Sequence, residues 1–246
     1  MKKGYSTPQK LAATTVFTAL VCVATMAFSI YVPQTRGYFN IGEGMVYITA
    51  LLFGPAIGSF AGGVGSMFAD LLLGYVQFAP ATLVSKACEG YIVGFLSHKV
   101  INLKSKTSWK VFAVIGGLVA STLLVSIGVF YYSGDVELYV GLPPPPIPTI
   151  VLGISPAFWY ILGCATMFFI VASGFKLEPE LGKHILSILL GGTVMVVGYY
   201  IYEQFVMGVF AAAEVPINIG QMIVGLTIAL PVTRAVKRVL PYIVRE

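Results

Sequence analysis

Long apolar runs separated by short polar clusters limit most strongly what this chain can fold into. A helix crossing the hydrocarbon of a bilayer needs about 20 apolar residues. The sequence offers candidate spans near 11–32, 43–54, 56–73, 80–98, 109–132, 150–174, 184–210 and 217–240. Only 10% of the 246 residues are charged, where a soluble domain carries roughly 25%. The pattern predicts an all-α, polytopic helical membrane protein of about eight spans. The second and third spans are short and meet at Gly54-Pro55. Proline suits the first turn of a helix, so this pair marks one helix ending and another beginning, with one kinked helix across 43–73 as the alternative. The first run is too long for the core of a signal peptide and ends at Tyr31-Val32-Pro33 without a small-residue cleavage site, so no cleavable leader is expected.

The basic residues orient these spans. Lys2, Lys3 and Lys10, then Lys99, Lys104, Lys106 and Lys110, then Lys176 and Lys183, then Arg234, Lys237, Arg238 and Arg245 fall in segments that eight spans put on one side. The opposite side has only Arg36, and the remaining basic residue, Lys86, lies inside a span. The positive-inside rule then predicts a multi-pass cell-membrane protein with both termini cytoplasmic. Topology accounts for the net charge of +5, so no nucleic-acid partner is expected.

Charges inside a span cost about 2.5–3.5 kcal/mol each at a helix centre, so they need partners or a purpose. Glu43, Asp70, Lys86, Glu89 and Glu203 are such residues. Glu43 and Asp70 fall near the outer face. Lys86 is six residues below the outer end of its helix, about 9 Å deep, and Glu89 lies one turn deeper. Glu203 is roughly 10 Å down, while Asn218 and Gln221 open the last span at the outer face. The set predicts a cavity open outward and closed inward. Its aromatic walls would come from Tyr38, Phe39, Tyr75, Phe78, Tyr91, Tyr199, Tyr200 and Tyr202, although tyrosines near an interface also form the ordinary aromatic belt. Glu203 shares a helical face with Tyr199 or Tyr200. Such a lining suits a small planar heterocycle. Lys86 either pairs with Glu89 within its own helix, at i, i+3, or pairs with Asp70 or Glu89 while ordering the cavity floor.

Signs of catalysis or metal binding are missing. There is no GxxxxGK[ST], HExxH, GxSxG or Cys/His cluster, so no enzyme, metal site or cofactor is expected. Cys22, Cys88 and Cys164 sit in separate apolar runs without ligand spacing. His98 and His184 fall at inner segment ends, where interfacial solvation explains them. Internal symmetry between the two halves is weak, which argues against an inverted-repeat transporter.

Three segments carry a family likeness: GYFNIGEGMVYITALLFGPAIGSFAGGVGSMFADLLLGY (37–75), FAPATLVSKACEGYIVGFL (78–96) and VVGYYIYEQFVMGVFAAAEVPINIGQMIVGL (196–226). In that order they resemble the riboflavin-type branch of the substrate-binding S components of energy-coupling factor (ECF) vitamin transporters. The resemblance implies a six-helix core that binds a B-type vitamin from outside. It also implies docking on a transmembrane T component driven by two ATPases, and toppling in the membrane to release the vitamin inward. It places Tyr38, Asn40, Asp70, Tyr75, Lys86, Glu89, Tyr199, Glu203, Asn218 and Gln221 near the substrate, and makes residues 33–42 a gate. Glu43 stands where the family usually has aspartate, one methylene shorter, and joins the expected substrate-binding set. The family's docking face commonly carries AxxxA. Here Ala12, Thr15, Ala19 and Cys22 form a small-residue stripe that either accepts the partner or packs inside the chain's own bundle. The usual six helices leave 109–175 as an inserted helical hairpin within a single integral membrane domain, with the core at 1–108 and 176–246. Its loop contains Pro143–Pro146, which favours extended polyproline II. A self-contained ion-coupled secondary transporter, with Lys86 and the acids as a proton relay, is the rival reading; a non-transporting membrane scaffold or sensor is another.

Overall fold

The structure, a computed structural model, describes residues 6–33, 35–98, 106–140, 145–176 and 179–239. The chain is mostly helical: α1 (Thr7–Ala27), α2 (Glu43–Phe53), α3 (Pro55–Leu73), α4 (Ala79–His98), α5 (Lys106–Tyr131), α6 (Pro156–Lys176), α7 (Pro179–Met207) and α8 (Glu214–Val239). It is an all-α polytopic membrane protein, in which α1, α3 and the cores of α7 and α8 are each long and apolar enough to cross a bilayer. The 11-residue α2 rises only about 16 Å, roughly half the hydrocarbon thickness.

Gly54 separates α2 from α3, as the GP pair predicts. Its φ of +83° lies where an L side chain is strained and glycine is not, and Pro55 then opens α3. One kinked helix is thereby excluded. Two apolar segments that the sequence reading placed inside spans form strands instead. The first span ends at Ala27, and Ser29–Val32 forms a strand, β1, that pairs antiparallel with β2 (Gly37–Asn40), matching Tyr31 to Tyr38. The apolar segment SIYV reads equally well as helix or strand, and only the turn that returns the chain decides for the strand. Likewise Ile150–Ile154 is not helical but a strand, β4, paired with β3 (Gly134–Val140). The helix begins at Pro156, where Ser155 Oγ accepts from the Ala157 amide at 3.1 Å as a cap. The first half of the proline run lies outside the described residues.

The chain divides into two compact units, one of residues 1–100 and 184–246, the other of 101–183. In the second, α5 packs on α6, and the Trp159 indole donates to the Tyr132 carbonyl at 2.9 Å. In the first, α3 packs on α1, α2 and α4, and α2 packs on α8. Lipid tails are as apolar as leucine, so helix association here depends on close approach rather than on escape from water. Gly90 supplies it: a Cβ there would strike the Gly58 backbone, 2.6 Å from its carbonyl carbon. The centre of this unit is built from Val21, Val46, Tyr47, Leu51, Val93, Ile188 and Met195. Leu72, Phe60 and Phe205 point outward, as lipid-facing side chains do.

Candidate functional site

Six helices bring polar side chains to one end of the first unit. The C-terminal parts of α1, α3 and α7 meet the N-terminal parts of α2, α4 and α8 there, with the β1–β2 loop alongside. The cavity they line, together with the solvent at its open side, comprises about 450 Å³ of space free of protein atoms. Eight of the eleven expected site residues line it: Tyr38 and Asn40 from β2, Asp70 from α3, Lys86 from α4, Tyr199 and Glu203 from α7, and Asn218 and Gln221 from α8. Thr25, Gly37, Ser66, Phe78, Thr82 and Glu214 complete it.

Lys86 pairs with Glu89, one of the partners the sequence suggests, and also with Glu43, which the sequence does not suggest. Its ammonium forms an ion pair with Glu43, and Glu89 lies 3.7 Å away. Asp70 instead accepts a hydrogen bond from the Tyr38 hydroxyl at 2.6 Å and is hydrogen-bonded to Thr82. The geometry of α2 decides this. Glu43 is the first residue of α2, which packs against α4, so its carboxylate reaches Lys86 across the interface. Glu43 and Glu89 are 1% and 0% exposed and lie outside the cavity lining. Glu89 also accepts from the Tyr47 hydroxyl at 2.6 Å. Lys86 therefore contributes to the cavity floor while its charge is shared by two acids beneath it.

Tyr75 is the third expected residue outside the lining. Its ring stacks on Tyr38 at 4.4 Å between centroids and backs the wall. Burial, followed by the nearby Tyr31, Asp70 and Glu214, pushes its phenol up to about 12. Burial and the Asp70 charge raise the Tyr38 phenol well above its ordinary value, so Tyr38 stays a donor to Asp70. Tyr199 donates to Thr82 Oγ1 at 2.7 Å, and the Lys86 ammonium lies 5.5 Å from its ring centroid. On the α7 face that carries Glu203, the i, i+4 residue Tyr199 lines the cavity while Tyr200 is exposed. Tyr91, also expected on the wall, is exposed because it sits two residues from Glu89 and faces away. Tyr202 donates to the Gln77 carbonyl at 2.7 Å.

Sequence reasoning misses Glu214 because it begins the last span after Pro216, whereas α8 begins at Glu214. A proline in the first turn does not end a helix, so the signal that α8 starts at Glu214 was there. Thr25, Ser66 and Thr82 had no such signal, since hydroxyls in apolar helices commonly bond their own backbone, as Thr25 does to the Val21 carbonyl at 2.8 Å. The loop that carries β2 is tied down at two points. Thr35 donates to Glu214, and Tyr38 to Asp70. Removing both donors with Thr35→Val and Tyr38→Phe strands two buried carboxylate oxygens, at about 1–3 kcal/mol for each unsatisfied group. We expect the double variant to be cut faster by protease within 33–37; an unchanged rate would mean that the two bonds do not hold the loop.

The stripe on α1 is largely free of the bundle. Ala12, Thr15 and Ala19 are exposed and Cys22 is half-buried, whereas Val21 and Thr25 form the face of α1 that is buried.

Residues 6–154, more than half of the chain, match the family described as ECF-type riboflavin transporter, S component. A Pyrococcus woesei protein described as "Uncharacterized protein in gap 3'region" is 42% identical over 112 residues, covering 46% of this chain and 73% of that protein.

Proposed function

This chain belongs to the ECF-type riboflavin transporter S-component family, and on that footing we propose that it captures a B-type vitamin or related planar heterocycle from outside the cell. The observation that carries this reading is the cavity at one end of the six-helix unit, where aromatic and hydrogen-bonding side chains converge. Tyr38 and Tyr199 stack against the ring, while Lys86, Glu203, Asn218 and Gln221 orient it. Asp70 and Asn40 hold the loop side of the site, Tyr75 supports Tyr38, and Glu43 and Glu89 fix Lys86. Residues 33–42 act as the lid. Both termini are cytoplasmic, and the cavity faces outward.

The family is one of transporter subunits rather than enzymes. Uptake would be driven by a T component and two ATPase subunits. Ala12, Thr15, Ala19 and Cys22 give the T component a surface of small side chains where backbones approach closely. Residues 109–175 form an insertion in the six-helix core.

The test is to purify the full chain in detergent, identify any co-purifying small molecule by mass spectrometry, and titrate it with a broad vitamin panel. We expect one vitamin to bind below micromolar concentration. Absence of any binder at that concentration would sink the proposal. Ion-gradient-driven uptake into vesicles without any ATPase would favour the secondary-transporter reading.

A further inference from the structure

The ionisable groups around the cavity are strongly unbalanced in sign. Asp70, Glu203 and Glu214 line it, each 4% exposed or less. The basic residue in the lining is Lys86, and its charge is already engaged by Glu43 and Glu89 underneath. Among the described residues, no other lysine or arginine is buried. The neutral donors present do not make up the deficit. Tyr38 and Thr82 serve Asp70, and Thr35 serves Glu214. Asp70 Oδ2 and Glu203 Oε2 are buried without a hydrogen-bond partner, as is the Gln221 carbonyl oxygen, an acceptor on the same lining. Apart from the Lys86 ammonium, which is ion-paired, the unmet capacity on the lining is acceptor capacity, on side chains that are more than nine-tenths buried.

Buried carboxylates without a counter-charge are costly in a low-dielectric site, and what relieves them is a proton, a dense set of donors or a cation. The described residues contain no group of three acidic, histidine or cysteine side chains close enough together to hold a metal ion. The aromatic members of the lining, Tyr38, Phe78 and Tyr199, offer ring faces that attract positive charge. Tyr199 already has the Lys86 ammonium over its ring.

We propose that the ligand of this cavity is an organic cation: a planar heterocycle carrying a fixed positive charge or a protonated amine. This rests on the reading of the cavity as the substrate site. An uncharged ligand has to meet these acceptors through neutral donors alone, such as the hydroxyls of a ribityl chain, and an anionic ring adds acceptors to a site that already has an excess of them.

The experiment titrates the purified full chain with ring compounds matched in size and differing in charge. Thiamine, 1-methylnicotinamide (methylated on the ring nitrogen) and pyridoxamine are the cations, riboflavin, nicotinamide and pyridoxine the uncharged set, and flavin mononucleotide, nicotinate and pyridoxal phosphate the anions. The tightest binder is expected among the cations. Glu203→Gln should weaken it by about tenfold or more, equivalent to about 1.4 kcal/mol, whereas Glu203→Asp, which keeps the charge, should weaken it less. If Glu203→Gln does not fold, Glu214→Gln, at the start of α8, gives the same readout. A tightest binder from the uncharged or anionic set overturns the charge inference and leaves the transporter reading intact. So does a Gln variant that binds the cation undiminished. If no compound binds at micromolar concentration, both readings fall together.

Discussion

Replacing Lys86 with methionine is expected to cost more stability than any other single side-chain truncation at the site. The ammonium holds Glu43 and approaches Glu89 at 3.7 Å, and those two acids are 1% and 0% exposed. Methionine fills nearly the same volume, so packing is kept and only the charge is lost. Two carboxylates then remain buried without their cation, and breaking a buried pair in this way costs about 3–5 kcal/mol. In detergent the midpoint of thermal unfolding should fall by roughly 10 °C. Glu43→Gln added to Lys86→Met removes one stranded charge and should recover part of that loss. It should not recover ligand binding, because the floor still lacks its ammonium. A single variant that melts like the parent would show that the ion pair contributes nothing.

Gly90→Leu is expected to abolish the folded protein. A side chain there meets the Gly58 backbone, and Gly94 meets Gly54 and Pro55 in the same way, with a Cβ 2.5 Å from the Gly54 carbonyl carbon. Backbone cannot rotate aside as a flexible side chain does, so α3 and α4 would have to separate along their whole contact. That separation also carries Lys86 and Glu89 away from α2. In a bilayer, lost close packing is not offset by a hydrophobic drive to reassociate. Gly116→Ala is the control, since a Cβ at Gly116 meets nothing within 4 Å. We expect size-exclusion chromatography of detergent extracts to give a monodisperse peak for the control and none for Gly90→Leu. A folded Gly90→Leu protein would mean that the two helices tolerate a wider spacing.

The helical architecture was legible because apolar run length is a one-dimensional signal, and so was the division at Gly54-Pro55. Depth along each helix is nearly one-dimensional too. That is why Lys86, Glu203, Asn218 and Gln221, on three different helices, group together by depth in the sequence, and they do line one cavity. That Lys86 would pair with Glu43 as well as with Glu89 was not legible. Spacing within α4 points to Glu89, whereas the ion pair with Glu43 depends on how α2 rotates and packs, which no local pattern encodes. The strands at 29–32 and 150–154 were hidden for a related reason. A short apolar segment has no period of its own, and its conformation is settled by the partner strand that returns to it.

Glu43 is both the acid that grips Lys86 and the first helical residue after the β1–β2 loop. The backbone leaving that loop therefore starts its helix at the side chain anchored to the cavity floor. If a ligand acceptor draws on Lys86, it competes with Glu43 and acts on the position of α2's first turn. Linkage is reciprocal: whatever factor the ligand exerts on the loop equilibrium, the loop exerts on ligand affinity. If 33–42 closes over the cavity, a substitution there that touches no ligand is expected to change ligand affinity through the same coupling.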